Sequence, residues 1–163
     1  MSAAAARAFA IAAHGDQRYG ARPYATHLDA VAALVDGDEA LQVIAYLHDV
    51  VEDTAVTLAE VEARFGADVA RCVALLTDPP LPTRRARKRA AYAALAQVDA
   101  AAPEARALVV KVADRLANVR SCVADENPGL LAMYRREHAA FRAAARREGV
   151  AAALWAELDA LLS

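Results

Sequence analysis

Alanine dominates this chain and narrows what it can fold into. Of the 163 residues, 46 are alanine, whereas glycine and proline contribute six each. Alanine has the highest intrinsic helix propensity, and glycine and proline are the residues that most disfavour helix interiors. No stretch shows the alternation of apolar and polar residues that is typical of a half-buried strand. The composition therefore predicts an all-α protein.

Turn and capping residues divide the chain into about eight or nine predicted helices. Thr26 is a candidate N-cap, Thr57 and Glu60 form a capping box, and Pro103 suits a first helical turn. Three prolines between residues 79 and 82 cannot continue a helix. The predicted helices cover about residues 3–15, 26–35, 39–52, 57–66, 67–77, 84–98, 103–119, 128–147 and 150–162. The length suits one domain, so we expect residues 1–163 to form a single unit.

Charge and cysteine content narrow the class of function. The chain has 19 basic and 21 acidic residues, a net charge of −2, which gives no bulk attraction to nucleic acid or membranes. Cys72 and Cys122 are isolated, so they predict neither a disulfide framework nor a zinc site. The N-terminal apolar run is short and lacks a cleavage pattern, and no stretch of about 18 apolar residues exists. We predict a cytoplasmic protein, monomeric or homodimeric, with no nucleic-acid or membrane partner.

Charged residues are concentrated in an apolar part of the third predicted helix. His48 and Asp49 are followed by Glu52 and Asp53, each four residues after its counterpart. On a helix, this spacing places one imidazole and three carboxylates on a patch about 6–8 Å across. That much negative charge among apolar residues is costly unless a cation or several donors compensate for it. A divalent metal is the simplest answer.

Candidate ligands for such a metal occur in three separate segments. They are His27, His48, Asp49 and Asp114. Two imidazoles and two carboxylates suit Mn²⁺, Fe²⁺ or Zn²⁺. Asp114 shares a helix face with Lys111 and Asn118 in one of the most apolar stretches of the chain. This setting favours a functional reason for burying these three polar side chains. An internal structural network of these three residues stays an alternative.

Cations cluster at the start of the sixth predicted helix. Residues 84–89 contain five of them, an arrangement that the helix dipole disfavours, so a bound anion is one explanation for it. A small polyphosphate fits better than nucleic acid, because no aromatic residues are interleaved. Arg18, Tyr19 and Arg22 add two more cations and a ring that could stack on a purine.

Four separated motifs resemble the HD-type hydrolase domain of RelA/SpoT proteins. They are residues 13–18, 22–27, 47–54 and 111–118, and segment 76–89 is similar to one typical of the small stand-alone alarmone hydrolases. The resemblance covers residues 5–140 and implies a compact HD-domain bundle of helices. It also implies a stringent-response enzyme that hydrolyses the 3′-pyrophosphate of (p)ppGpp, leaving GDP or GTP and pyrophosphate.

The resemblance further implies roles for individual residues. The metal, usually Mn²⁺ but with Fe²⁺, Zn²⁺ or Co²⁺ as alternatives, would be held by His27, His48, Asp49 and Asp114. The attacking water would be positioned or activated by Glu52 and Asp53. Guanine would pack on Arg18, and the nucleotide would contact Asn118. We expect the remaining substrate contacts, including neutralisation of the polyphosphate, from Tyr19, Arg22, Lys111 and Arg84. Four positions depart from the family pattern. They are Leu28, where Pro is usual, Ala117, where His or an aromatic is usual, Ser121, where longer members commonly have Thr, and Thr83, where small members often have Lys.

Three other functions are compatible with parts of this pattern. A related HD phosphohydrolase could act on a 5′-mononucleotide or on the 2′-phosphate of NADPH, because fold and metal set do not fix the substrate. A non-catalytic nucleotide-binding module would have no need of Glu52 and Asp53. A nucleic-acid-binding protein would use residues 84–89 and bind without metal, with an affinity that depends on salt.

Overall fold

Helices account for nearly all the regular structure of residues 2–163, the part of the chain that the computed structural model describes. The helices are α1 (Ala3–His14), α2 (Ala25–Ala33), α3 (Glu39–Leu47), α4 (Val50–Asp53), α5 (Leu58–Phe65), α6 (Ala67–Leu76), α7 (Arg84–Ala96), α8 (Ala105–Ala124), α9 (Pro128–Ala145) and α10 (Ala152–Leu162). All but the single-turn α4 have eight residues or more, and the prediction of an all-α fold is confirmed. An unpredicted hairpin of β1 (Arg18–Tyr19) and β2 (Arg22–Pro23) lies between α1 and α2.

Most helix ends follow local signals in the sequence. The predicted capping box is present, because the Thr57 side chain accepts from the Glu60 N–H and the Glu60 side chain accepts from the Thr57 N–H. Asn127 caps α9 by accepting from the N–H of Leu130. Gly66 ends α5 and starts α6 at a φ of 90°, a conformation that glycine adopts without strain.

Two predicted helix starts were wrong. Helix α2 begins at Ala25, before Thr26, because the N–H groups of His27 and Leu28 already bond to the carbonyl of Tyr24. Pro103 lies in a series of tight turns before α8, not in its first turn. Turn bonds from Ala102 N–H to the Asp99 carbonyl and from Ala105 N–H to the Ala102 carbonyl delay the helix to Ala105.

The predicted continuous helix over residues 39–52 is also wrong, since it breaks at His48 and Asp49. The Nδ1 atom of His48 lies 2.7 Å from the carbonyl oxygen of Ala45. In an unbroken helix, the N–H of Asp49 would bond to that same carbonyl. The imidazole replaces this backbone bond, α3 ends at Leu47, and α4 starts as a separate turn at Val50. The break lets His48 and Asp49 point to a common centre.

Helix α8 is packed on both sides. One apolar cluster joins its Val110 to α2, α3 and α6, and the other joins its Leu116 to α7, α9 and α10. The second cluster contains the largest buried side chains, Phe141 and Trp155. Asp114 therefore projects from a helix that is fixed by the core on two sides. Within residues 2–163, no helix combines the length and apolar character needed to cross a bilayer.

A partly buried histidine joins α9 to α10. His138, on α9, has a side chain only 16% exposed, and its Nε2 atom lies 2.8 Å from Oδ1 of Asp159 on α10. The amphipathic pattern of α9 alone could not predict this contact, because the covering helix comes later in the chain.

Candidate metal centre and active site

The four side chains predicted as metal ligands meet in the structure. His27 comes from α2, His48 and Asp49 from the break between α3 and α4, and Asp114 from α8. The Nε2 atoms of the two histidines are 3.3 Å apart. Oδ1 of Asp114 lies 3.3 Å from Nε2 of His27 and 3.7 Å from that of His48. Oδ2 of Asp49 lies 2.9 Å from Nε2 of His48 and 3.7 Å from that of His27.

These separations suit the donors of one divalent ion. Metal–nitrogen and metal–oxygen bonds of about 2.0–2.2 Å place neighbouring donors about 3–3.5 Å apart. The hydrogen bond from His48 Nδ1 to the Ala45 carbonyl fixes the proton of the neutral ring on Nδ1, so the Nε2 lone pair faces the cluster. His27 and His48 are both buried. The group of His27, His48 and Asp114, with Asp49 beside it, could hold a divalent metal.

The charges of the cluster act strongly on its protonation. Burial lowers the pKa of His48, but the carboxylates of Asp49 and Asp114 outweigh burial and raise that pKa well above its ordinary value. Burial raises the pKa of Asp49, but His48 outweighs it and lowers the pKa to about 2. Burial also raises the pKa of Asp114, but His27 and His48 outweigh burial and lower this pKa well below its usual range. The site therefore stabilises positive charge between its carboxylates.

A second layer of side chains orients the carboxylates. The hydroxyl of Tyr24 donates to Oδ2 of Asp49 at 2.5 Å. The amide nitrogen of Asn118 donates to Oδ1 of Asp114 at 2.6 Å, and the amide oxygen of Asn118 accepts from the hydroxyl of Tyr19 at 2.8 Å. The ring of Tyr19 stacks on that of His27. Both ends of the Asn118 amide are therefore engaged within the chain.

Glu52 and Asp53, the predicted water-handling pair, lie on α4, one turn after the candidate ligands His48 and Asp49. Oε2 of Glu52 accepts from the backbone N–H of Asp78 at 2.8 Å. Oδ2 of Asp53 accepts from the amide of Gln17 at 3.0 Å. Burial raises the pKa of Glu52, the charge of Asp78 adds to this, and the hydrogen bond from Asp78 opposes it. Burial is the largest cause of the raised pKa, and the like charges of Asp78 and Asp49 add to it.

The predicted substrate-binding cations have partners within the chain. The guanidinium of Arg18 donates to the carbonyl of Ala21 at 2.5 Å. Arg22 pairs with Asp125 at 2.5 Å and donates to the hydroxyl of Ser121 at 3.0 Å. Lys111 is buried, and its Nζ donates to the carbonyl of Leu76 at 3.0 Å. A polyphosphate would have to compete with Asp125 for Arg22, whereas Arg18 and Lys111 contact carbonyl oxygens, and the charge of Lys111 also acts on the carboxylates of Glu52 and Asp114.

The basic run divides into paired and unpaired cations. Arg84 forms a two-pronged contact with Glu137 at 2.9 and 3.1 Å. Lys88 lies 2.7 Å from Oδ2 of the buried Asp78. Arg85, Arg87 and Arg89 have no acidic partner among residues 2–163. Arg85 and Arg89 border the groove between α7 and α9, and Arg87 donates to the carbonyl of Leu81 at 3.1 Å. The uncompensated positive charge therefore belongs to these three arginines more than to Arg84.

Three residues of the site were not identified from the sequence. Tyr24 bonds to Asp49, Gln17 to Asp53, and Asp78 to both Glu52 and Lys88. Tyr24 and Gln17 lie in motifs on which the family resemblance rests, and this position in the motifs could have identified them as site residues. Asp78 opens the proline-rich loop, and nothing local distinguishes it from a surface loop aspartate.

A cavity of about 220 Å³ adjoins His27 between α2 and α8. Its wall includes Tyr19, Arg22, Ala117 and Ser121. Ala117 and Ser121 are both departures from the family pattern, and the small side chain of Ala117 leaves room at this wall. Thr83, a further departure, caps α7 by accepting from the N–H of Ala86.

A comparison with known protein families identifies the fold. A model described as HD domain matches residues 4–151. The chain belongs to the HD domain family. The prediction of an HD-domain helical bundle is thereby confirmed, and the cluster of His27, His48, Asp49 and Asp114 is the candidate metal site of this HD domain.

Named relatives of this HD domain agree with the resemblance seen in the motifs. The chain is 37% identical over 103 residues to the guanosine-3′,5′-bis(diphosphate) 3′-pyrophosphohydrolase MESH1 of Drosophila melanogaster, covering 60% of this chain and 55% of that protein. It is 36% identical over 124 residues to a probable enzyme of the same name from Synechocystis, covering 69% of this chain but 16% of the relative. The chain also resembles a solved structure of a protein described as a metazoan ortholog of SpoT that hydrolyses ppGpp. The two superpose with a TM-score of 0.82 at 28% identity, over 98% of this chain and 92% of the other.

Proposed function

We propose that this HD domain is a metal-dependent hydrolase that removes pyrophosphate from the 3′ position of (p)ppGpp. The observation that carries the proposal is the convergence of two histidines and two aspartates from α2, the α3–α4 break and α8, with Glu52 and Asp53 on the next helical turn. The similarity to MESH1 and to the ppGpp-hydrolysing SpoT ortholog supports the choice of substrate. The chain spans about half the length of the Drosophila relative. The activity proposed for this chain therefore rests on its own site residues as well as on the similarity.

The proposed metal ligands are His27, His48, Asp49 and Asp114, and Mn²⁺ is the proposed ion. The chemistry that such a centre supplies when loaded is Lewis acidity, which acidifies water and polarises phosphoryl oxygens. Two nitrogen and two oxygen donors suit Mn²⁺ and its neighbours in the first transition row, which leaves Fe²⁺, Zn²⁺ and Co²⁺ as ions to test beside it.

Glu52 is the proposed general base. The N–H of Asp78 holds Oε2, so Oε1 is left to orient a water and to accept its proton. The raised pKa of Glu52 makes its carboxylate a stronger base than an exposed glutamate. Asp53, held through Gln17, is proposed to fix the position of the same water.

Positive charge for the polyphosphate is proposed to come from Arg18, Arg22, Lys111 and Arg84, and stacking from Tyr19. Arg18 and Lys111 bond to carbonyl oxygens, so their charge is not compensated by these contacts. A cation held near a transferring phosphoryl group stabilises the negative charge of the transition state. Asn118 is proposed to contact the nucleotide, and this contact requires the Tyr19 hydroxyl to leave the amide oxygen.

We further propose that residues 1–163 form one domain, monomeric or homodimeric, that acts in the cytoplasm on a small nucleotide. Helix α8 supports the single domain, because it belongs to both of the large apolar clusters. Two free, buried cysteines, Cys72 and Cys122, support a reducing compartment.

The decisive experiment is an assay of the purified protein with Mn²⁺ against ppGpp and NADPH. Chromatography of the products identifies the fragment that is released. We expect GDP and pyrophosphate from ppGpp, with no turnover after the metal is removed by a chelator. Release of phosphate from NADPH, with ppGpp intact, would contradict the proposed substrate and keep the metal-dependent phosphohydrolase. Salt-sensitive RNA binding with no turnover of either nucleotide would contradict both.

A further inference from the structure

Tyr19 is linked to two of the proposed metal ligands, directly to His27 through its ring and indirectly to Asp114 through the amide of Asn118. The ring is stacked on His27, with centroids 4.8 Å apart and planes 20° apart. The hydroxyl donates to the Asn118 amide oxygen at 2.8 Å, and the Asn118 amide nitrogen donates to Oδ1 of Asp114 at 2.6 Å. That oxygen is the atom 3.3 Å from Nε2 of His27.

The stacking contact also shields His27. This histidine is 3% exposed, and its Nδ1 atom is buried without a hydrogen-bond partner among the described residues. The other histidine of the cluster, His48, is oriented by a hydrogen bond to a carbonyl. His27 lacks such a bond, so its orientation depends on ring contacts. The stacked ring of Tyr19 has the shortest centroid distance of these, and the rings of Tyr24 and His48 pack edge-on.

The hairpin that carries Tyr19 is fastened to α8 at a second point. Arg22, on the opposite strand, reaches Ser121 on the last turn of α8 and Asp125, the residue directly after this helix. The contacts from Tyr19 and Arg22 span 99 or more residues of sequence. They hold the β1–β2 hairpin across the face of α8 from which Asp114 and Asn118 project.

We propose that Tyr19 is a positioning residue that holds His27 and Asp114 in their metal-binding geometry. The inference rests on the proposed metal centre and not on the identity of the nucleotide. Tyr19 acts on His27 by stacking and on Asp114 through Asn118. Supporting residues around metal ligands commonly change metal affinity by about 10- to 100-fold.

Metal release without nucleotide tests this role. The holoprotein loaded with Co²⁺ is mixed with excess chelator, and the visible absorption of the bound ion is followed in time. We expect Tyr19→Phe, which keeps the stacking ring, to release the ion about 3- to 10-fold faster than wild type, in keeping with the loss of one hydrogen bond. Tyr19→Leu should release it faster still and should shift the absorption bands, because the orientation of His27 is also lost.

A double-mutant cycle separates the path through Asn118 from general loosening. If the hydroxyl acts through Asn118, Tyr19→Phe combined with Asn118→Ala should release the ion no faster than Asn118→Ala alone. Tyr92→Phe is the matched control, since its hydroxyl accepts from Arg115 at the same 2.8 Å and its ring packs against the apolar cluster that contains Phe141 and Trp155. It should lower the melting temperature of the metal-free protein while leaving release at the wild-type rate.

Three outcomes would overturn the inference. Wild-type release rates in Tyr19→Phe and Tyr19→Leu would exclude a positioning role, and additive effects in the cycle would exclude the path through Asn118. If Tyr92→Phe also released Co²⁺ faster, in proportion to its loss of melting temperature, the faster release in the Tyr19 variants would be explained by general destabilisation. A wild-type protein that takes up no Co²⁺, Mn²⁺ or Zn²⁺ would remove the metal centre itself, a failure of the proposed function that is distinct from the other results.

Discussion

Oε2 of Glu52 accepts a hydrogen bond from the backbone N–H of Asp78 at 2.8 Å. This contact joins the proposed base on α4 to the start of the proline-rich loop, 26 residues later. The Asp78 carboxylate, in turn, is held by Lys88 on α7. The position of Glu52 is therefore set by a loop and a helix that contribute no proposed metal ligand.

Glu52→Gln should retain the metal and lose turnover. The amide oxygen of glutamine can still accept from the Asp78 N–H, so the geometry is kept while the proton acceptor is lost. General base catalysis typically contributes at least about 100-fold, and we expect kcat to fall by that factor with unchanged metal content. Steady-state kinetics and elemental analysis provide both measurements. Glu62→Gln, at an exposed position of α5, is the control, and undiminished turnover of Glu52→Gln would exclude Glu52 as the base.

Turnover should decline in acid with an apparent pKa above that of an ordinary glutamate. Burial disfavours the charged form of Glu52 and raises its pKa. The base works only when it is deprotonated, so kcat falls as the pH drops through the raised value. The pH profile of kcat measures this, with metal content determined at each pH as a control. A profile whose acid limb is the same in Glu52→Gln would assign that limb to another group.

Asp49→Ala should lose metal binding and turnover together. The carboxylate of Asp49 lies 2.9 Å from Nε2 of His48 and is oriented by Tyr24. We expect metal affinity to fall by more than about 100-fold, beyond the usual effect of removing a supporting residue. Asp29→Ala is the control, because it breaks an exposed ion pair with Arg7 away from the cluster. Full metal occupancy in Asp49→Ala would contradict the ligand assignment.

Most helices and the candidate metal ligands could be predicted from the sequence, but the contacts between distant segments could not. Asp114 could be singled out because a charged residue in a strongly apolar helix indicates burial. The capping residues Thr57 and Asn127 could be recognised because capping is local. The break at His48 depends on an imidazole that replaces a backbone bond, and a pattern of apolar spacing contains no sign of that competition.

Contacts of Arg22 and Asp78 illustrate why the rest of the site could not be predicted. Arg22 meets Asp125 across 103 positions, and any exposed aspartate was an equally good partner from the sequence. Asp78 could be assigned only after α4 and α7 were known to meet at the loop. Side-chain partners of this kind are decided by the packing of the helices, which local propensity does not determine.

Cys72 should be almost inert to thiol reagents in the folded protein. Burial raises its pKa to about 11, so at pH 8 only about one thiol in a thousand is the reactive thiolate. We expect slow labelling of Cys122→Ala, in which Cys72 is the remaining thiol, and rapid labelling after denaturation. The rate in the folded state should rise with pH towards 11. Rapid labelling at pH 8 without denaturant would show that α6 opens more readily than its packing indicates.

Gly66→Ala should lower the melting temperature. Gly66 has a φ of 90°, and an added Cβ would meet nothing within 4 Å, so the cost is conformational and not steric contact with neighbours. With a ψ of 162°, this is a region that residues other than glycine rarely occupy, at a cost of about 1–3 kcal/mol. For a domain of this size, that corresponds to a decrease of about 2–12 °C, measurable by circular dichroism.

Gly129→Ala provides the matched comparison for Gly66→Ala. Gly129 lies in α9, and its added Cβ would be 3.7 Å from Oδ1 of Asn127, an ordinary contact. The same substitution should therefore stabilise the fold by about 0.5 kcal/mol, because it reduces the entropy of the unfolded chain. If the melting temperature falls in Gly66→Ala and rises in Gly129→Ala, the loss of stability in Gly66→Ala is caused by the backbone conformation at that position. A Gly66→Ala protein as stable as wild type would mean that the α5–α6 junction relaxes to a conformation that alanine accepts.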